Sequence, residues 1–300
     1  MIGNHEYPLS RHGTKQFQGI YPLPVKEDVV PGSDGAGEVL AIGSRVTRFQ
    51  KGDKVLTLFN QGHLAGSLTP KTKATGLGGM LDGTLRQHGV FFEEGLVAMP
   101  SSLNWLEAST LTCAALTAWN ALYGLKPLQP GQVVLTQGTG GVSIFALQFA
   151  KAAGATVIAT TSSASKAAKL KELGADHVIN YKEISEWGEK AKELTLNGEG
   201  VDHVIELGGP MTLAESIKAV KIDGVISIIG FLAQGKPGQE APNWLETLAR
   251  TFTARGVFVG SRLQFEEMVS LFPAMGFVWV KEIRKAEAKL TLIMATESCD

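Results

Sequence analysis

In TQGTGGVSIFALQFAKAAG, residues 136–154, glycines stand at 138, 140 and 141, directly after QVVLT and directly before an apolar stretch. Val142, Phe145, Ala146, Phe149, Ala150 and Ala153 recur at spacings of three and four, the period of a helix with one face against a core. Gly154 then supplies the left-handed residue that most easily ends a helix. A glycine turn between strand and helix lets main-chain N–H groups at the positive helix end meet a pyrophosphate, because no side chain intervenes. In the pattern G-x-G-x-x-G the third glycine would fall on Ser143, where packing must accept a hydroxymethyl group. Taken alone, the turn fits a plain β–α connection as well as a dinucleotide site.

For NAD, an Asp or Glu about 20 residues past the turn would hold the ribose hydroxyls. Here the strand ATVIAT runs into TSSASK, with no acid. Thr161, Ser162, Ser163 and Lys166 offer hydroxyls and one cation, which suit a 2′-phosphate, so the cofactor expected is NADPH in preference to NADH. Ser163 also reads as a helix N-cap and Lys166 as a solvated first-turn lysine, and both roles can coexist.

The elements that must position these residues show in the rhythm of the chain. From 131 onward, short β-branched runs alternate with helix-period stretches: Val133–Thr136, Ala155–Thr160, Val178–Ile179, His203–Leu207, Val225–Ile229 and Val257–Val259. That alternation predicts βαβ units and a doubly wound parallel sheet of the Rossmann type. Residues 1–125 read instead as short strands, GEVLAIG, DKVLTLF and GVFF, separated by turns, followed by a helical connector that Ser102 could cap. KPLQPG, 126–131, is the expected boundary; a second domain spans 126–262 and a divergent segment 263–300.

Composition narrows the function. Lys+Arg at 28 against Asp+Glu at 29, with no like-charge block, gives no footprint for nucleic acid or an anionic membrane, so the expected partner is a small-molecule substrate. Two cysteines, Cys113 and Cys299, make no disulfide scaffold in 300 residues. The start MIGNHEYPLSRHG has no signal-peptide pattern, and GVISIIGFLA is too short to span a bilayer, so a cytoplasmic protein is expected.

With GTGGVSIFALQFAKAAGATVIATTSS, KLKELGADHVINY and GVDHVIELGG in order, preceded by VPGSDGAGEVLAIGSRVTRFQKGDKV and LTCAALTAWNAL, the sequence resembles the medium-chain dehydrogenase/reductase superfamily, in its zinc-independent, quinone-oxidoreductase-like branch. The resemblance covers roughly residues 19–262. It implies a β-rich GroES-like domain and a Rossmann domain with the nicotinamide between them. By the same resemblance Gly138, Thr139, Gly140, Gly141 and Val142 would lie under the pyrophosphate, and Ser162, Ser163 and Lys166 at the 2′-phosphate, with Tyr181 near that end. Gly208, Gly230, Phe231 and Leu232, then Phe258, Val259 and Gly260, would follow the ribose and nicotinamide, and Thr117 would stand beside the ring. Relatives often pair through a sheet edge, here GVISIIGFL to GVFVGS, which implies a homodimer.

No metal is expected. Zinc-dependent relatives carry a histidine where this chain has Ser33, the four-cysteine lobe has no counterpart, and a lone Cys113 cannot hold catalytic zinc. His63 lies in a loop without a ligand-spaced partner. Hydride transfer from NADPH to a quinone or an α,β-unsaturated carbonyl needs no metal, only donors for the developing oxyanion. Against the family pattern both ends of the first domain look shortened, which predicts a GroES-like domain with strands missing. A binding protein with little turnover, an alcohol dehydrogenase-like enzyme and a poorly folded product are the competing readings.

Overall fold

The computed structural model describes residues 2–6, 24–230 and 242–275. They fall into two compact units, one drawn from Met1–Leu116 and Val259–Asp300, the other from Thr117–Phe258. The first unit is built on a five-stranded antiparallel sheet in the order β4-β1-β2-β3-β5. Its strands are β1 (Ile2–Glu6), β2 (Ala36–Val39), β3 (Lys54–Thr57), β4 (His88–Gly89) and β5 (Leu96–Ala98). Strand β1 arises where the sequence shows no alternation of apolar residues; its pairing partners, Ile2 with both Val39 and Gly89, supply the register.

Of the GVFF run only Gly89 lies in a strand, and Val90 and Phe92 are exposed. Of that run Phe91 packs on the Val39, Val55 and Leu96 cluster, as Phe49 also does. Two short helices follow the loops, α1 (Pro70–Lys73) and α2 (Trp105–Ala108). Helix α2 is capped by Asn104, not Ser102, because Asn104 accepts from the Glu107 amide while the Glu107 carboxylate accepts from the Asn104 amide. Leu111–Ala115 then forms a π-helical turn.

Helix α3 (Leu116–Tyr123) leads into the second unit, whose six-stranded parallel sheet runs in the order β11-β10-β9-β6-β7-β8. The strands are β6 (Val133–Gln137), β7 (Thr156–Thr161), β8 (His177–Asn180), β9 (Val201–Glu206), β10 (Val220–Ile228) and β11 (Thr253–Gly256). Five match the runs expected from sequence, but the last lies ahead of Val257–Val259. The parallel register of Thr253–Gly256 on Val225–Ile228 ends with the Val257 amide on the Ile228 carbonyl, and Val259, at φ 55, turns the chain away. A β-branched residue in that region is strained and costs of order 1–3 kcal/mol.

Helices α4 (Gly141–Ala152), α5 (Ala164–Glu172), α6 (Trp187–Glu193), α7 (Leu213–Ala219) and α8 (Leu245–Ala249) connect the parallel strands. Leu135, Ile158, Val204 and Ile226 from four neighbouring strands form the middle of the core, each worth about 1.5–3 kcal/mol when fully buried. Helix α9 (Arg262–Met275) belongs to the first unit, where it packs against β5 with Phe265, Met268 and Phe272 buried. KPLQPG lies inside the second unit, with Leu128 buried and Lys126 paired to Asp223. No helix among the described residues is long and apolar enough to cross a membrane.

Strand β9 carries a buried imidazole. His203 is 1% exposed, and neither ring nitrogen has a hydrogen-bond partner. Burial holds its pKa down at about 4, with Lys126 and Lys221 acting the same way and Asp202 opposing. An unfolded chain binds a proton there near pH 6.5, so the stabilisation is complete above 6.5 and is lost as pH falls toward 4, by roughly 3 kcal/mol in all. His203→Phe is therefore expected to flatten the acid side of the stability profile, measured as urea midpoints at pH 7.5 and pH 5.

Candidate functional site

Every strand of the second sheet is parallel, so the turns after β6, β7, β8, β9 and β10 gather along one edge. The chain goes outward from β6 to β8 on one side, then returns to build β9 to β11 on the other. Strand order reverses between β6 and β9, which is where open α/β sheets bind their ligands.

The glycine turn sits on that point. Gly138 has φ 76, which only glycine adopts without strain, and its amide bonds the Thr160 carbonyl at 2.9 Å. Side chains added at Gly138 or Gly140 would meet nothing within 4 Å, so the turn faces open space. Gly140 is the N-cap of α4, and no side chain caps this helix end. Uncapped amides beneath open space fit a pyrophosphate. Ser143, in place of the third glycine, is fully buried and donates to the Gln137 carbonyl at 2.6 Å, so the hydroxyl ties helix α4 to the end of β6.

The sequence reading missed the network that holds this turn. Glu206, at the end of β9 and fully buried, accepts at Oε1 from the amides of Gly208 and Gly209 at 2.9 Å and from Thr212 at 2.5 Å. Its Oε2 accepts from Gln137 Nε2 at 2.7 Å and from the Ser216 hydroxyl. Gln137 Oε1 in turn accepts from the Leu207 and Gly208 amides at 3.0 and 3.1 Å. The carboxylate thus joins β6, the loop after β9 and α7 with no cation involved. Gly208 spends its amide inside this network, and a side chain on Gly230 would stand 1.7 Å from the Leu207 carbonyl.

At the end of β7, Thr161 is buried and its hydroxyl has no partner, while Ser162 and Ser163 are half-buried. Ser163 caps α5 by accepting from the Lys166 amide at 3.5 Å. Lys166 is exposed and makes no ion pair among the described residues. Tyr181 lies just past β8, 43% exposed, its amide on the Thr161 carbonyl. The structure therefore brings Gly138 to Val142, Thr161 to Lys166, Tyr181, Gly208 and Gly230 to one sheet edge. Thr117 is buried in α3, Phe258 follows β11, and Val259 and Gly260 fall in the first unit; Phe231 and Leu232 lie outside the described residues.

In the first unit, Ser33 is buried, and His63 turns back on its own loop, its Nε2 3.0 Å from the Gly66 carbonyl. Among the described residues no group of three His, Cys, Asp or Glu is arranged to hold a metal ion.

A doubly wound sheet with a glycine turn at its switch point, joined to an antiparallel β unit, is the architecture of a dinucleotide-binding oxidoreductase. Residues 8–101 match the family described as alcohol dehydrogenase GroES-like domain, and residues 141–274 the family described as zinc-binding dehydrogenase. A zinc-type alcohol dehydrogenase-like protein of Schizosaccharomyces pombe is 46% identical over 260 residues, 86% of this chain and 75% of that one. A solved structure from Sinorhizobium meliloti 1021, provisionally assigned as an alcohol dehydrogenase, is 40% identical with a TM-score of 0.82 over 93% of this chain and 81% of that one. The quinone oxidoreductase of Pseudomonas syringae pv. Tomato DC3000 is 26% identical with a TM-score of 0.75, over 97% and 87% of the two chains. The chain belongs to the medium-chain dehydrogenase/reductase superfamily, as an oxidoreductase of its alcohol dehydrogenase-like and quinone oxidoreductase-like members.

Proposed function

We propose that the protein binds NADPH at the edge built from Gly138–Val142, Thr161–Lys166 and Tyr181 and reduces a quinone or an α,β-unsaturated carbonyl compound without zinc. The observation that carries the NADPH reading is the end of β7, where Ser162, Ser163 and Lys166 stand and no carboxylate does. Two hydroxyls and an exposed ammonium attract a 2′-phosphate, whereas an acid there would repel it. Ser33 supports the zinc-free reading, since its hydroxyl is engaged with the neighbouring Asp34.

When bound, a reduced nicotinamide dinucleotide supplies the hydride. The chain's own residues bind and orient: the α4 amides meet the pyrophosphate, Glu206 and Gln137 fix the turns around it, and Thr117 is read as standing beside the ring. Ser162→Asp is expected to lower NADPH affinity by about 10–100-fold and to raise NADH affinity, while Lys166→Ala lowers NADPH affinity about tenfold and leaves NADH unchanged. Fluorescence titration with each dinucleotide reads both effects. Equal binding of the two by the wild type, with Lys166→Ala inert, would refute the 2′-phosphate assignment. Loss of nicotinamide absorbance with a quinone or an enone tests turnover; tight binding without that loss leaves a binding protein.

A further inference from the structure

Asn197 and Gly198 form the one Asn-Gly pair in the sequence, and they stand at the tip of the turn between α6 and β9. Asn197 has φ 57 and ψ 12 and Gly198 has φ 64, so both lie in the left-handed region that asparagine and glycine tolerate best. The tip projects into solvent. Leu196 is 83% exposed, Asn197 and Glu199 are exposed, and a side chain added at Gly198 would meet nothing within 4 Å. The Asn197 carboxamide makes no hydrogen bond among the described residues.

Two long main-chain bonds close the tip, from the Gly198 amide to the Thr195 carbonyl at 3.1 Å and from the Glu199 amide to the Leu196 carbonyl at 3.3 Å. Below them the loop is tied more firmly. The buried Thr195 hydroxyl accepts from the Gly200 amide at 2.9 Å and donates to the Lys192 carbonyl at 2.7 Å. In an Asn-Gly pair the following amide nitrogen can reach the side-chain carbonyl carbon, because glycine presents no Cβ to block the approach. Three aspartates also precede a glycine, and each is restrained. Asp34 is buried and accepts from the Ser33 hydroxyl and the Cys113 amide, Asp82 accepts from the Val30 amide and Lys26, and Asp223 is paired with Lys126.

We propose that Asn197 is a site of spontaneous covalent modification, its carboxamide passing through a cyclic imide to aspartate and isoaspartate. The Gly198 nitrogen gives up its proton and bonds to Asn197 Cγ, the bond from Cγ to the side-chain nitrogen breaks, and ammonia leaves with that proton. Water then opens the ring. Attack at Cγ yields aspartate on an unchanged main chain, whereas attack at the main-chain carbonyl carbon yields isoaspartate, whose main chain runs through Cβ and Cγ. One water enters and one ammonia leaves, so the step needs no other reactant. The Gly198 amide is engaged in the folded turn, and reaction proceeds when the two tip bonds open locally. Either product sets a new carboxylate beside Glu199, and isoaspartate also lengthens the loop that Thr195 closes onto Gly200. The chemistry does not depend on the cofactor reading above.

The full chain, held without cofactor at mildly alkaline pH and then cleaved with trypsin, gives the test. Fragment 193–218 carries Asn197 as its only asparagine and has no glutamine, so an exchange of NH2 for OH in it reports this residue. Two products of equal mass, aspartate and isoaspartate, should separate by chromatography, while fragments bearing Asn60, Asn104, Asn120 and Asn180 stay unchanged over the same interval. Gly198→Ala should slow conversion several-fold, since its Cβ crowds the attacking nitrogen. Thr195→Val removes the tie to Gly200 and should speed conversion about fivefold by easing local opening. An Asn197 that stays intact in the folded chain while urea-unfolded chain converts it overturns the proposal, because the turn is then a shield. Aspartate formed without isoaspartate, the mark of direct hydrolysis, overturns it as well.

Discussion

Replacing Gly140 by aspartate is expected to abolish NADPH binding while leaving the protein as stable as before. Gly140 has φ −76 and ψ 167, an ordinary extended conformation for any residue, and its added Cβ would meet nothing within 4 Å. Aspartate is also a preferred N-cap, so α4 gains a side-chain acceptor for its free amides. The carboxylate would fill the space where the pyrophosphate is proposed to sit and occupy the amides it needs. Two like charges about 4 Å apart repel by about 4 kcal/mol at a surface-like dielectric, so affinity should fall by a hundredfold or more. Thermal unfolding and an NADPH titration on one preparation check both halves. Unaltered NADPH affinity would move the pyrophosphate away from this turn.

Replacing Glu206 by alanine should act in the opposite manner, with stability falling by about 3–5 kcal/mol. The carboxylate accepts from Gly208, Gly209, Thr212, Gln137 and Ser216, and all five donors would lose a partner inside the core. Glu206→Gln keeps the volume but turns one end into a donor facing Gln137 Nε2 and Ser216, so it should recover only part of the loss. Urea unfolding of both variants gives the order. If Glu206→Ala loses less than about 1 kcal/mol, water is replacing the carboxylate and the network is not what anchors the turn.

These two positions also mark what the sequence could reveal. The glycine turn was legible because its demands are local: φ 76 at Gly138, open space at Gly140 and a helix with one apolar face each restrict residue type. Ser143 looked like a defect in the motif, and only the Gln137 carbonyl beside it shows the hydroxyl as a tie. Glu206 and Gln137 lie 69 residues apart, and their meeting depends on β9 crossing back beside β6, which no local pattern encodes. The cap of α2 fell on Asn104 and not Ser102 because the reciprocal bonds with Glu107 require a spacing of three. Strand β11 was misplaced because Val257–Val259 has more β-branched residues than Thr253–Gly256, yet pairing with β10 set the register.

The π-helical turn Leu111–Ala115 holds one residue more than an α-helical turn covering the same rise. The Cys113 amide inside this turn donates to the buried Asp34 carboxylate at 2.8 Å, and deleting a single residue there to restore plain α winding would carry that amide away. The hydrogen bond that sets this acid's environment is thus separated from its absence by the gain or loss of one codon. Such a change could appear or vanish abruptly along a lineage, without the passage through intermediate substitutions that a remodelled pocket would require.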